Sequence, residues 1–190
     1  DLITGSKTVI KLWNSSKFCN LHIKNYGPKK CGLELIDKWI LTKLNRTIDV
    51  CTMAFNEYEY SKAKNAVEIF FWKDFCDNYL EIVKGRLYGE GSKESAKFVL
   101  YHCLLNILKL FAPIMPFITE EIYQAMFRDR EKSVSIHLTK WPEKLTIKKD
   151  DSYDVGEKFV KVLGFVRQEK AKHGKSLKEK ISLLVCDPKL

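Results

Sequence analysis

Apolar positions recur three and four residues apart through most of the chain, and five helices follow from that period. Val9, Leu12, Trp13, Cys19 and Ile23 mark a first helix that stops at Gly27-Pro28. A second runs from about Glu34 to Ala54, with Leu35, Ile36, Trp39, Ile40, Leu44, Ile48 and Cys51 turned inward. The third, about Ser61 to Leu87, carries Phe70, Phe71, Trp72, Phe75, Cys76, Tyr79, Ile82 and Val83. It is apolar round most of its circumference, which places it centrally. Gly89-Glu90-Gly91 turns the chain into a fourth helix, about Lys93 to Phe111; Pro113 and Pro116 break it, and a short fifth covers about Phe117 to Phe127. Long helices with short connections predict a mainly α, up-and-down helix bundle over residues 1–130.

The pattern then changes. Ser133 to Leu138 alternates as Ser-Val-Ser-Ile-His-Leu, the period of a strand, and Trp141-Pro142 ends it. Lys144 to Asp151 reads as a polar linker. Another helix, about Tyr153 to Lys172, carries Val155, Phe159, Val162, Leu163 and Val166, and beyond His173-Gly174 the apolar run Ile181 to Val185 is suited to pair with the earlier strand. Residues 131–190 are therefore expected to form a small C-terminal α/β subdomain on the bundle.

Charge adds a partner class to this outline. The 190 residues carry 33 Lys+Arg against 24 Asp+Glu, a net charge of +9, with a pI near 9.2. That balance favours a polyanionic partner, nucleic acid ahead of a membrane surface. The six cysteines (Cys19, Cys31, Cys51, Cys76, Cys103, Cys186) are scattered without a CxxC pair, so reduced thiols in a cytoplasmic setting are expected rather than zinc or disulfides. No apolar run is long enough to span a membrane. The opening residues, Asp1 to Ser6, have neither a starting Met nor a signal-peptide pattern, and the chain reads as a piece of a longer protein.

Catalytic motifs are not apparent. Gly174-Lys175-Ser176 lacks the upstream glycines of a phosphate-binding loop, and no nucleophile, base and oxyanion stabiliser converge. Asp74, Asp77 and Glu81 share a helix face and read as a solvated acidic stripe, with an acid–base pair or a cation site as the alternative. No catalytic residue and no metal ligand is expected. The first helix carries more information. Val9, Leu12, Trp13, Ser16, Cys19, Asn20 and Ile23 lie on its core side, and Lys7, Lys11, Asn14, Phe18, His22 and Asn25 lie opposite. On that basic, amide-rich face Lys side chains suit phosphates, Asn14 suits a base edge, and Phe18 suits either stacking on an unpaired base or packing against another helix.

Five ordered segments then carry a resemblance. Lys11 to Phe18 (KLWNSSKF) and Leu35 to Asn45 (LIDKWILTKLN) resemble the start of the anticodon-binding domain of class I aminoacyl-tRNA synthetases. Phe70 to Glu81 (FFWKDFCDNYLE) is similar to the valyl-tRNA synthetase branch. Leu108 to Tyr123 (LKLFAPIMPFITEEIY) and Ser135 to Pro142 are in family order, and the likeness spans roughly residues 7–187. Arg167 to Gly174 resembles the helix that follows the bundle in the family. This resemblance implies a domain that grips the anticodon arm of valine tRNA, in a parent that attaches valine to that tRNA with ATP and magnesium. The nucleotide-binding and editing domains would lie elsewhere in the parent, and Gly91-Ser92-Lys93-Glu94-Ser95 is not its signature loop. On this fragment no cofactor is expected, and the partners are the tRNA and the rest of the synthetase, as a monomer. The alternatives are the same domain of an isoleucyl-type enzyme or a basic helical protein-interaction module.

The family's motif positions fall on Lys11, Asn14, Lys17 and Phe18 in the first helix and on Leu80, Glu81 and Lys84 in the third. The resemblance implies that Phe18 stacks on a splayed anticodon base and Leu80 walls it. Glu81 would accept from an exocyclic amine, and Lys11, Lys17 and Lys84 would hold phosphates. Trp39, Trp72 and Trp141 are expected in the core or at a junction, and the basic run Arg167, Lys170, Lys172, Lys175, Lys178, Lys180 on a solvated face.

Overall fold

The computed structural model describes residues 2–24, 26–27, 31–89, 92–148 and 150–185, with side chains from residue 5. The helices follow as α1 (Leu2–Ile23), α2 (Leu35–Asn56), α3 (Tyr60–Ile69), a π-helix π1 (Phe70–Leu80), α4 (Glu81–Tyr88), α5 (Lys93–Phe111), α6 (Pro116–Met126), the single turn α7 (Arg128–Glu131) and α8 (Ser152–Lys172). The mainly α bundle is observed, and its boundaries fall close to those the apolar period sets. Pro28, Asn25, the Glu90-Gly91 turn and Cys186 lie outside the described residues.

The core runs along π1 and α5. Phe70, Phe71, Phe75 and Tyr79 of π1 are buried against α2 and α3, and Leu100, Cys103, Leu104, Ile107 and Phe111 of α5 pack among α1, α2, α4 and α6. The central position is thus shared by π1 and α5. Proline supplies the start of α6, where its missing N–H would have gone unpaired. The C-terminal carbonyls of α1 are capped by Arg130, whose Nη2 donates to the Ile23 oxygen at 2.8 Å and also to the Lys24 oxygen.

One buried carboxylate knots the elements together. Asp37, fully buried in the first turn of α2, takes both terminal nitrogens of Arg86 from α4 and the Tyr79 hydroxyl at 2.7 Å from π1. It also accepts the Glu34 backbone N–H at 3.1 Å, while Arg86 donates on to Ser95 of α5 at 3.2 Å. Burial, then the adjacent carboxylate, raises the Tyr79 hydroxyl well above the usual phenol range, so it stays a donor.

The region after α7 departs from expectation: no strand forms among the described residues. At 133–138 the polar groups are spent locally, and a single 3₁₀ turn forms at Ile136–Leu138. Glu120 accepts the Ile136 N–H at 3.0 Å and the Ser135 hydroxyl at 2.9 Å, Gln124 donates to the Val134 carbonyl at 2.6 Å, and the Tyr123 hydroxyl donates to the Ser133 carbonyl at 3.2 Å. With those bonds made to α6, the segment has no ladder to offer. Residues 181–185 are exposed and unpaired in any sheet. Among the described residues the C-terminal part is therefore a helix and its straps, without the strands expected of an α/β unit.

Those straps include the expected linker. Asn45 of α2 exchanges two hydrogen bonds with the Leu145 backbone, at 2.8 and 2.9 Å, and Leu145 and Ile147 pack on the core. Lys144 pairs with Asp49 at 2.9 Å and Lys38 with Asp150 at 2.5 Å. The segment is thus held on α2 along its length. It delivers α8 onto α2, where Gly156 lies directly against the fully buried Trp39, whose indole donates to Glu157 at 2.7 Å. Lys43 joins the same polar layer, bridging Glu157 at 2.8 Å and Asp74 of π1 at 3.5 Å. Because Ser152, Gly156 and Glu157 make the contact, Val155 and Phe159 are left exposed. Gly174, at φ +61°, ends this stretch in the left-handed region that suits glycine.

Candidate nucleic-acid interface

Two segments far apart in sequence meet in one groove. The exposed side of α1 and the outer side of π1 and α4 enclose about 540 Å³, within the range of about 300–1,000 Å³ typical of ligand clefts. Lys11, Asn14, Phe18, Leu80, Glu81 and Lys84 all line it. Lys17, the seventh candidate, does not: it is exposed beyond the rim, with its ammonium 5.2 Å from the Trp13 ring centroid.

The geometry of α1 follows from its sequence. Thr8, Leu12, Ser15, Ser16, Cys19 and Ile23 are buried, so Lys11, Asn14 and Phe18 fall along one flank of the buried face, while Val9 and Trp13 are only partly covered. The Ser15 and Ser16 hydroxyls bond back to the Leu12 carbonyl at 3.0 and 2.7 Å, which lets polar residues sit inside the contact. Phe18 is half-buried. Its ring lies 5.0 Å from that of His22, which in turn meets Tyr88 edge-on at 5.2 Å, and the Lys84 ammonium is 5.8 Å from the Phe18 centroid. Phe18 thus packs on one side and leaves part of its ring to the groove. Burial, and then Lys97, lowers the His22 pKa, so this neighbour is neutral at pH 7.

The opposite wall carries Trp72, which is partly buried against the core and also lines the groove; its indole N–H donates to the Thr8 hydroxyl at 3.3 Å, and the Lys11 ammonium lies 4.0 Å above its ring. Asp77, also in the groove, pairs with Lys11 at 2.8 Å, and Glu81 pairs with Lys84 at 2.6 Å. The acidic stripe therefore divides: Asp74 turns inward to Lys43, whereas Asp77 and Glu81 face the groove. Burial raises the Asp74 pKa, an effect that Lys43 only partly offsets. Leu80, nearly buried, forms part of the floor beside Cys76, whose thiol is pushed up to about 12, chiefly by burial, and is no nucleophile.

Electrostatically the groove is mixed. Lys7, Lys11 and Lys84 stand against Asp77 and Glu81. The Lys84–Glu81 pair is about half exposed on each side, and such pairs are worth about 1 kcal/mol or less. Both partners can therefore exchange their bond for one to a ligand at small cost. Of the other expected features, Trp39 is core, and Trp141 lies on the α2 surface, edge-on to Phe55 at 5.3 Å with its indole donating to Thr52 at 2.8 Å. In the basic run, Arg167 bonds to π1, Lys170 to the Leu177 and Glu179 carbonyls, Lys172 to Glu169 and Lys175 to Glu179. No helix among the described residues is long and apolar enough to cross a membrane, and no cluster of three His, Cys, Asp or Glu there is placed to hold a metal ion.

Lysines beside aromatic rings in one groove suit an unpaired nucleic-acid base with its phosphates, and comparison with known proteins gives the family. Residues 37–184 match the family model for the anticodon-binding domain of tRNA ligase, and the chain belongs to that family. The match begins at Asp37, beyond Lys11, Asn14, Lys17 and Phe18. Among similar proteins are valine–tRNA ligases of Wolbachia sp. subsp. Brugia malayi, 42% identical over 95% of this chain, and of Ehrlichia ruminantium (strain Welgevonden), 43% identical over 96%. The valine–tRNA ligase of Thermococcus kodakarensis is 38% identical over 90% of the chain. The chain spans about a fifth of the length of these curated relatives: 22%, 23% and 20% respectively.

Proposed function

We propose that this chain is the anticodon-arm recognition part of a valine–tRNA ligase, and that the groove between α1 and π1–α4 receives an unpaired anticodon base. In this reading Phe18 stacks on the base, Leu80 closes the apolar side, and Glu81 accepts from an exocyclic amine that cytosine and adenine present and uracil lacks. Asn14 meets a base edge, and Lys11 and Lys84 turn from their carboxylates to flanking phosphates. Lys17, on the rim, follows the backbone outside the groove. Residues 1–130 make these contacts, and residues 131–190 brace them. The parent enzyme attaches valine to its tRNA with ATP and magnesium in the cytoplasm, acting as a monomer, with the chemistry carried by its other domains.

The observation that carries the reading is the convergence of Lys11, Asn14 and Phe18 with Leu80, Glu81 and Lys84 on one cleft. The test is fluorescence anisotropy of the 190-residue chain with two RNA probes over a salt series. One probe is a valine anticodon stem-loop, and the other is the same loop with its last two anticodon bases changed. Preference for the valine loop that persists as salt rises is expected. Equal, steeply salt-dependent binding to both would mean that the net charge accounts for the affinity, and the reading would fall.

A further inference from the structure

We propose that Arg167 of α8 is a positioning residue for the groove: it holds the π-helical turn at Asp77–Asn78 and so sets where Leu80 and Glu81 meet an unpaired base. The proposal rests on the anticodon-loop reading above. In an α-helix, positions four apart rotate by about 40° per step, so residues 72, 76, 80 and 84 would fan over about 120°. In this chain Trp72, Cys76, Leu80 and Lys84 all line the same groove. The wider π turn, with its i to i+5 bonding, counters the drift and brings residues of this spacing toward one row. Long π stretches are rare because α bonding competes with them, so this one requires support from outside the helix.

Side chains of π1 are tied to α1 and α2, and the turn at Asp77–Asn78 is in addition held through its backbone from α8. The Arg167 Nη1 group donates to the Asp77 carbonyl at 3.0 Å and to the Asn78 side-chain oxygen at 2.9 Å. The other half of the Asn78 amide donates to the Lys73 carbonyl, five residues back, at 2.9 Å. The Glu81 N–H donates to the Asn78 carbonyl rather than to Asp77, the partner it would have in an α-helix. A guanidinium from another helix therefore takes an oxygen that α bonding would claim, and fixes the amide that braces the turn from inside. The same Asp77 sends its carboxylate across the groove to Lys11. Arg167 does not line the groove itself. It acts through π1, and its own place is set by α8, which is docked through Gly156 and Glu157 on Trp39.

The experiment titrates the two stem-loop probes against wild type, Arg167→Ala and Arg167→Lys, with amide hydrogen exchange on the free proteins. Arg167→Ala is expected to weaken the valine loop about tenfold, the scale of one stacking contact, and the changed loop about twofold or less. Exchange at Glu81 and Ile82 should accelerate while the thermal midpoint moves little. Arg167→Lys, which keeps donors near both acceptors, should recover most of the preference. Equal losses on both loops would mean that Arg167 contributes charge alone and would overturn the proposal, as would a full preference with unchanged exchange in Arg167→Ala. Wild type without any preference would overturn the anticodon reading and with it the positioning of Leu80 and Glu81 by Arg167, while the exchange rates would decide the clamp on π1 separately.

Discussion

Two interior glycines of α8 allow the docking of that helix to be tested with a single chemical change. A Cβ built at Gly156 would lie 2.5 Å from Cδ1 and Cγ of Trp39 and 2.6 Å from its Cβ, whereas one at Gly164 meets nothing within 4 Å. Carbon atoms settle at about 3.5–4.0 Å, so Gly156→Ala forces α8 and α2 apart by about 1 Å. Both substitutions gain about 0.8–1 kcal/mol of intrinsic helix preference. At Gly164 that gain stands alone. At Gly156 it is opposed by overpacking, about 1–3 kcal/mol. Lifting α8 also loosens the Trp39–Glu157 bond at 2.7 Å, and bonds to charged groups contribute about 1.5–3 kcal/mol. The helix gain cancels between them, so the two variants should differ by about 2.5–6 kcal/mol. Gly164→Ala should be more stable than wild type and Gly156→Ala less so. For a chain of this size each kcal/mol moves the midpoint by about 2–4 °C. Thermal melts followed by circular dichroism, backed by urea titration, read the difference. Two variants within about 0.5 kcal/mol of each other would refute the α2–α8 contact as described.

Further outcomes follow from other sites. Asp37→Asn leaves Arg86 without its buried partner and should cost about 3–5 kcal/mol in urea unfolding at pH 7; a loss under about 1 kcal/mol would mean that Glu34, 3.1 Å from Arg86, is sufficient. His22 and His102 both have pKa values lowered from 6.5, chiefly by burial, so the unfolded chain binds their protons more readily. Stability should be full above about pH 6.5 and fall below it, and His102→Gln should narrow the difference in melting midpoint between pH 7.5 and 5.5. The carboxylates with lowered values, Glu120, Asp150, Glu157 and Glu169, start from 4.5 or, for Asp150, 3.8 and do not enter that window. Asp77→Asn removes the charge that holds Lys11 at 2.8 Å and should tighten RNA binding at low salt while steepening its salt dependence. Unchanged affinity and slope would mean that Lys11 does not reach phosphate.

The helical period was readable because each helix buries one stripe. Leu12, Cys19 and Ile23 of α1 and Trp39, Ile40 and Leu44 of α2 lie where that period puts them. It failed where bonding changes the period or where polar side chains intervene. Within π1 the fixed 100° step grouped Asp74 with Asp77 and Glu81, because nothing in a helical wheel signals wider turns. The four-residue spacing of Trp72, Cys76, Leu80 and Lys84 was the available clue. The alternating Ser-Val-Ser-Ile-His-Leu has the pattern of a strand, yet its backbone is claimed by Glu120 and Gln124, which no local pattern reveals. Along α8 the tightest contact is made by a glycine and a carboxylate, Tyr153 and Val160 pack on the core, and Val155 and Phe159 stay exposed, a division that no apolar spacing reveals. The candidate groove was the more legible part, since the exposed face of α1 and the family motifs named seven of its lining residues: Lys7, Lys11, Asn14, Phe18, Leu80, Glu81 and Lys84. Lys17 shares their motif but points beyond the rim.

The central claim is that Phe18 stacks on an anticodon base, and a double-mutant cycle tests it most directly. Wild type and Phe18→Ala would be titrated against the valine stem-loop and against three loops, each abasic at one anticodon position. The account predicts that one abasic loop loses about 1–3 kcal/mol with wild type and nothing further with Phe18→Ala, a coupling of the same size. Additive losses at all three positions would contradict it, because the ring and the bases would then act independently.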